Sequence, residues 1–497
     1  MLLESFGNPR RFARIARRVS RSKPVIAIKA GRTAAGTRAA GSHTAALAAS
    51  DVAVDALFRQ TGVIRAETLD EMFDLAAALG GQPLPRGRRV AIVTNAGGPG
   101  ILCADACEAG GLSVPQLADS TRSRLASFLP ASASVTNPVD MIASATPDQF
   151  RRAVETVLGA AEVDSAIVIF ISVGVSTAGD VARAIGEGVA AARAAGEKKK
   201  PVLVCVMAEG GHAGSLPACG ETIPVYAFPE SAGRALGKIS AYSEWRAAPA
   251  GVIPDFDDIA PAKAREICAK ALDERGAGWL SADETRAVLE TMGLALPPGG
   301  TAKTADEAVR RARAIGFPVA VKLASRSIVH KTEIGGVRLN ISDENFVRGA
   351  FEEIRSRLAQ EGKLDAMDGV TVQPMIRDGV EVMVGVASDP LFGPLIAFGL
   401  GGIHVEILGD VRFRITPLTD RDAAEMVREI RGYRLLEGYR GHPPGDVEAI
   451  QNVLLRVSRL VEEVPEIGEL DLNPLFALPP GKGCAIADAR IRVAPQK

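Results

Sequence analysis

Five histidines occur in the 497 residues: His43, His212, His330, His404 and His442. A neutral imidazole near pH 7 keeps a free lone pair and is a good nucleophile toward phosphorus. Phosphohistidine has a high transfer potential, which suits reversible phosphate relay. Two of the five sit where that chemistry has support. His330 lies in VKLASRSIVHKTEIGGVRLN, residues 321–340. This stretch reads as a short apolar strand carrying Lys322, a polar loop with His330, the pair Gly335-Gly336, and a returning strand. A strand lysine followed by a Gly-Gly loop is one way to hold phosphate against backbone N–H groups. His43 lies in GSHTAALAAS, where a small-residue loop runs into a helix. Phosphate on it would sit near free backbone N–H groups and the positive end of the helix dipole. A neutral histidine needs its other ring nitrogen oriented, usually by a carboxylate. Glu4, at the end of the first strand, suits that task, because parallel neighbouring strands bring their C-terminal ends to one crevice.

A second group of residues offers oxygen donors. Asn473 and Asp488 flank a hairpin-like turn between two strands near the C-terminus. An amide oxygen and a carboxylate suit Mg²⁺, which takes oxygen ligands together with substrate phosphates. Asp471 precedes Asn473 by two residues, so on a strand it points the same way. Lys322 can neutralise nucleotide phosphates. Gln373 and Glu381 border the turn between two further strands, where an adenosine can hydrogen-bond. Each of these residues taken alone is as readily structural. A lysine strand, a Gly-Gly loop, a strand hinge and paired Mg²⁺ ligands, in this order, point to an ATP-grasp fold.

The elements that must position these groups follow from hydrophobic periodicity. LLESF ends a strand, residues 8–22 form an arginine-rich helix, and KPVIAIKAG is a buried strand. A loop and helix over 32–50 and a helix over 68–80 close this unit, part of a parallel α/β sheet. It is too short for a whole domain, and a strand–helix unit is expected to be missing before Met1. Strands at 89–94, 165–173, 201–207 and 223–228 alternate with helices near 100–110, 147–160, 180–196 and 230–246. That alternation predicts a second, parallel, doubly wound domain. Beyond a Pro- and Asp-containing linker at 246–262, antiparallel strands mix with helices, as in an α+β domain. Two of those helices open with capping boxes, Ser281 with Glu284 and Thr304 with Glu307. The expected domains are a partial flavodoxin-like domain over 1–82, a second, complete flavodoxin-like domain over 87–247 and an ATP-grasp domain over 263–497. The fold class is therefore α/β, two flavodoxin-like parallel sheets followed by an α+β domain.

Composition excludes other classes. With 58 basic and 59 acidic side chains, nothing favours nucleic acid or an anionic membrane. No apolar run approaches the ~20 residues of a membrane span, and the N-terminus has no signal-peptide pattern. None of the six cysteines forms a C-x-x-C pair, which agrees with buried apolar thiols in a reducing cytoplasm.

HKTEIGGV, the GLGG of residues 399–402 and ELDLNPL resemble the ATP-grasp part of the NDP-forming acyl-CoA synthetases. That family includes ADP-forming acetyl-CoA synthetase and is related to succinyl-CoA synthetase. LESFGNPRRF, KPVIAIKAGRT and GSHTAALAAS resemble its phosphohistidine domain, and TNAGGPG with NPVDMIA its other flavodoxin-like domain. The resemblance implies that a small carboxylic acid, CoA and ATP give acyl-CoA, ADP and phosphate, through an acyl phosphate and a phosphohistidine relay. It implies that His43 takes phosphate from the acyl phosphate, steadied by Glu4, and that His330 carries it to the nucleotide, steadied by Asp471. It implies Mg²⁺ on Asn473 and Asp488, and nucleotide at Lys322, Gly335, Gly336, Gln373 and Glu381. A carrier must visit two sites, so Gly335-Gly336 then reads as a hinge more than a phosphate cradle, and residues 325–336 are expected to be mobile. His404 stands where an aromatic is usual in the family.

Fused relatives begin with a CoA-binding domain that this chain is expected to lack. The alternative reading is then an ATP-binding subunit or truncated remnant that needs a separate CoA-binding chain. A partial sheet exposes an edge strand that needs a cover, and an oligomer is expected. A ligase using acyl phosphate directly, without a histidine relay, is disfavoured by the two matched histidines.

Overall fold

A computed structural model describes residues 1–31, 50–172, 176–197, 199–207, 214–218, 220–328, 331–401 and 409–495. His43, His212, His330 and His404 fall outside the described residues. The chain divides into two compact units, the second beginning at Ala250 apart from a short helical piece, Ala49–Leu57, that clusters with it.

The first unit is built on two sheets, the first parallel and the second parallel except at one edge. β1 (Leu2–Leu3), β2 (Val25–Lys29) and β3 (Val63–Arg65) pair in that order, all parallel. The helix between β1 and β2, Pro9–Ser20, starts at Asn8, whose side chain accepts the Arg11 N–H at 2.9 Å. The second sheet holds β4 (Val90–Thr94), β5 (Val139–Asp140), β6 (Ser165–Ile171), β7 (Val202–Met207), β8 (Gly214–Ala218) and β9 (Glu221–Tyr226). Their order is β5-β4-β6-β7-β9-β8. The sheet is not wholly parallel as the alternation suggested. β8 runs antiparallel to β9 at the edge, and Gly220, at φ +78°, lies in the turn between them, a backbone region glycine enters at little cost. The Gly-rich segment after β4 also differs from the expected turn. Gly97, Gly98 and Gly100 belong to the first turns of helix Gly97–Ala109. Asn95 ties the end of β4 to β6, with its amide donating to the Ile171 carbonyl and accepting the Ile171 N–H, both at 2.9 Å.

The two flavodoxin-like pieces, expected as separate domains, share one core. Ile64, Leu75 and Ala78 pack in the same buried cluster as Val90, Ile92, Cys103, Ile167 and Leu236. Polar bonds join the pieces as well: Tyr242 Oη donates to the Ser20 carbonyl at 2.7 Å and Lys238 Nζ to the Arg65 carbonyl at 2.7 Å. A three-stranded sheet has too few strands to be stable alone unless a face is covered. Helix Leu69–Gly81 does this by filling the groove against helix Pro229–Ala247 and β9.

Among the described residues of the second unit every strand pairing is antiparallel. β10 (Gly278–Trp279), β11 (Gly300–Ala302), β12 (Val319–Ala324), β13 (Val337–Ile341), β14 (Gly369–Pro374), β15 (Val380–Asp389) and β16 (Gly393–Leu400) are followed by four more strands. These are β17 (Val411–Ile415), β18 (Ile467–Ala477), β19 (Cys484–Ile486) and β20 (Ala489–Val493). A four-stranded sheet has the order β11-β14-β12-β13. A seven-stranded sheet has the order β10-β20-β18-β15-β16-β17, with β19 on β18. Helices Ala305–Ile315 and Glu344–Gln360 bury Val309, Ala312, Phe351 and Ile354 against the small sheet. Helices Ala282–Thr291 and Val447–Glu463 bury Val288, Leu454, Val457 and Leu460 against the large one. The Ser281–Glu284 capping box forms in full. At Thr304 only half of it forms: the hydroxyl accepts the Glu307 N–H at 3.2 Å, while the Glu307 carboxylate takes the Lys303 N–H at 2.7 Å.

Candidate nucleotide site

The two sheets of the second unit enclose a cleft of about 970 Å³, at the upper end of what small-molecule sites occupy. Its floor comes from β12, β14, β18 and β20, and Glu381, Leu395 and Phe413 line it from β15, β16 and β17. The cleft has an apolar part, with Met375, Ile376 and Phe413, and a charged part around Asp488.

Lys322 is the buried cation of the charged part, only 7% exposed on a strand whose six residues are all buried. Strand alternation puts Ala320 and Lys322 on the cleft side. Lys322 Nζ donates to the Ala487 carbonyl at 2.8 Å, and Gln373 Nε2 donates to the same oxygen at 3.0 Å. A carbonyl has two lone pairs and serves both, so one backbone oxygen holds both side chains against the cleft. Burial pushes the Lys322 pKa down, aided by Lys331 and opposed by Asp488. Its two remaining N–H donors suit an anionic ligand that would restore the charge.

β18 and the turn before β20 supply the oxygen donors. Asp471 lies opposite Arg490 and Leu472 opposite Ala489, and the Asn473 N–H donates to the Asp488 carbonyl at 3.1 Å. With a side-chain period of two, Asp471, Asn473, Asp488 and Arg490 all project from one face, and all four line the cleft. Lys331 Nζ bonds both Asp488 oxygens, at 2.8 and 3.2 Å, and Arg490 approaches Oδ2 at 3.4 Å. Burial pushes the Asp488 pKa up, but Lys331 and Lys322 outweigh it, so the carboxyl sits below its ordinary range and stays ionised.

Asp471 goes the other way. Burial first, then Asp488 and Glu469, raise its pKa from 3.8 to about 6, against the pull of Arg490 and Lys331. It therefore binds its proton more tightly folded than unfolded. The stability that this proton brings is complete below pH 3.8 and is lost as pH rises through about 6. Asp471→Asn has no such titration. Relative to the unaltered protein it should gain stability steadily from about pH 4 to 6 and level off above. Urea midpoints of both proteins across that range are the check, and parallel pH curves would remove Asp471 as the source.

Glu381, near the start of β15, lines the cleft, and its carbonyl accepts the Gly401 N–H at 2.9 Å. Gly335 and Gly336, expected to hold nucleotide, do not line the cleft. Their N–H groups are already bonded, Gly335 to the Thr332 carbonyl at 3.0 Å and Gly336 to the Lys331 carbonyl at 2.7 Å. No donor is left there for phosphate, because a turn beside β12 has claimed both. Gly335 has φ +64°, which explains the residue type. Glu4 lies in the first unit, exposed just past β1, and its carbonyl accepts Lys29 Nζ at 2.9 Å. The histidine it was expected to steady, His43, and the carrier His330 are outside the described residues.

Lys331, Arg490, Glu469 and Trp279 also line the cleft, although none was expected as a site residue. Three had a signal: Arg490 stands two residues after Asp488 and so shares its face, and Lys331 and Glu469 lie within HKTEIGGV and ELDLNPL. Trp279 had none, since it reaches the cleft from a different element. Among the described residues no cluster of three or more His, Cys, Asp or Glu side chains is poised to hold a metal. The Asn473–Asp488 pair has the oxygen donors that Mg²⁺ takes when substrate phosphates and water complete its shell, so the donor set fits that ion.

Comparison with known proteins agrees with this chemistry. Residues 270–493 match the ATP-grasp domain family, 1–79 the succinyl-CoA ligase like flavodoxin domain and 90–251 the ligase-CoA domain. A 4-hydroxybutyrate–CoA ligase [ADP-forming] of Nitrosopumilus maritimus is 36% identical over 495 residues, 99% of this chain and 70% of the relative. An acetate–CoA ligase [ADP-forming] I of Archaeoglobus fulgidus is 38% identical over 491 residues, 98% of this chain and 69% of the relative. The β subunit of acetate–CoA ligase [ADP-forming] II of Pyrococcus furiosus is 47% identical over 210 residues, 42% of this chain and 89% of that subunit. These matches correct the expectation that the chain stands without a CoA domain. The family matches run from residue 1 to 493, and the middle one is itself a ligase-CoA domain. The chain is a ligase with an ATP-grasp domain and belongs to the family of ADP-forming acyl-CoA synthetases.

Proposed function

We propose that this ligase joins a small carboxylic acid to CoA with cleavage of ATP to ADP and phosphate, through an acyl phosphate and a relay of phosphohistidines. One observation carries the nucleotide half of this reading. Lys322, Gln373, Asp471, Asn473 and Asp488, drawn from three strands and the turn before β20, line one cleft. In the reading, Lys322 donates to nucleotide phosphate, and Gln373 and Glu381 hold the adenosine end. Asn473 and Asp488 would hold Mg²⁺, which would supply charge neutralisation to the nucleotide phosphates. Asp471 steadies the phosphorylated ring of His330, His43 exchanges phosphate with the acyl phosphate, and Glu4 orients the His43 ring. The terminal phosphoryl group leaves ADP for His330, moves to His43, and forms a mixed anhydride with the acid. The CoA thiolate then displaces phosphate to give the thioester.

The named relatives act on acetate and on 4-hydroxybutyrate, so acids of that size are the first to assay. Related chains are named as α and β subunits, and an oligomer or a second chain is the partner to look for by light scattering. The test is product analysis with ATP, Mg²⁺, CoA and a panel of acids. Repeated turnover should give acyl-CoA and ADP in equal amounts and only with all components present. AMP and pyrophosphate as products, or acyl transfer that proceeds without CoA, would overturn the reading.

A further inference from the structure

Asp488 faces more cations than a ligand for Mg²⁺ should. The Lys331 ammonium contacts both carboxylate oxygens, at 2.8 and 3.2 Å, and so lies in front of the group where a metal ion would approach. The pair is largely withdrawn from water, with side-chain exposures of 14% for Lys331 and 18% for Asp488. Charge there must be compensated within the protein. Lys322 does not compete for the carboxylate through a direct bond, because it is held on the Ala487 carbonyl. Arg490 reaches only Oδ2, at 3.4 Å. Lys331 thus makes the closest contacts with the carboxylate. An ammonium and a divalent cation on the same oxygens would stand a few ångströms apart in a site of low polarity, where like charges repel strongly.

Lys331 is also tied to the chain around it. Its carbonyl accepts the Gly336 N–H at 2.7 Å, and the Gly336 carbonyl in turn accepts the Leu323 N–H of β12 at 2.7 Å. A shift of the Lys331 backbone would strain or open the turn that Gly335 and Gly336 close. In sequence it is the residue after His330.

We propose that Lys331 is a positioning residue that occupies the Asp488 carboxylate until metal and nucleotide arrive, so that metal loading displaces the residue next to the relay histidine. This rests on the reading of Asp488 as a Mg²⁺ ligand. Lys331 holds Asp488 oriented beforehand. Its departure reports an occupied site to the segment that carries His330.

The test uses the full chain with ADP and Mn²⁺, whose free form is read by electron paramagnetic resonance. Lys331→Met removes the competing ammonium and should bind Mn²⁺ in the ADP complex about tenfold more tightly, as loss of a charged hydrogen bond predicts. Lys331→Arg keeps a cation and should stay near the unaltered protein. Hydrogen exchange supplies the second readout: the Gly335 and Gly336 amides should lose protection with Mn²⁺ and ADP but not with ADP and a chelator. Unchanged or weaker Mn²⁺ binding in Lys331→Met, or exchange at these two amides that ignores the metal, would overturn the proposal. Asp488→Asn separates the two levels. If it loses Mn²⁺ while Lys331→Met behaves as the unaltered protein, only the placeholder role fails. If it keeps Mn²⁺, the metal reading fails and the placeholder with it.

Discussion

His330→Ala protein incubated with Mg²⁺ and labelled ATP should carry no acid-labile, base-stable phosphate, where the unaltered chain takes up label. A phosphorylated imidazole is stable in base and hydrolyses in acid, which separates it from phosphoserine and from an acyl phosphate. Removing a covalent carrier leaves no shorter route between nucleotide and acid, so turnover should fall by roughly a thousandfold or more. His43→Ala should lose turnover as severely but keep its label, because in the proposed order the nucleotide meets His330 first. The two variants together order the relay. Undiminished label in His330→Ala would end the account in which this histidine meets ATP.

The second large effect is expected at Lys322. Its ammonium sits on the Ala487 carbonyl with donors to spare, and burial already disfavours its charge. A nucleotide phosphate would restore that charge by a charge-assisted bond, a contribution of about 1.5–3 kcal/mol. Lys322→Met should therefore weaken ADP binding by about 10- to 100-fold in calorimetry. The scaffold should survive, because Gln373 still donates to the Ala487 carbonyl and Asp488 keeps Lys331 and Arg490. An ADP affinity equal to that of the unaltered protein would take Lys322 out of the site.

Both predictions concern residues that stand out in the amino-acid sequence itself. Lys322 is conspicuous as a cation inside an apolar strand. Asp471 and Asn473 can be placed on one face from spacing alone, because a strand repeats every two residues. The same rule reaches Arg490 from Asp488. The helices after the linker are legible from their caps, Ser281 and Thr304, since a cap satisfies backbone donors within one turn. The antiparallel β8 is not legible, because its pairing depends on a short return to β9 and not on a pattern within the strand.

The cleft is where local pattern stops being informative. Residue types and period-two spacing, which are local properties, determined which side chains offer phosphate-binding, oxygen-donor and nucleophilic chemistry. Composition and alternation determined an α/β part followed by an antiparallel α+β part. The tertiary structure alone decided that Lys331 meets Asp488 across 157 positions of sequence. It alone decided that Lys322 and Gln373 share the Ala487 carbonyl. It also decided that Gly335 and Gly336 turn their N–H groups to the chain and away from any ligand. The physical reason is the same in each case. A hydrogen bond or ion pair between distant segments depends on how two sheets register against each other, and side-chain periodicity within one strand carries no information about its partner in the other sheet.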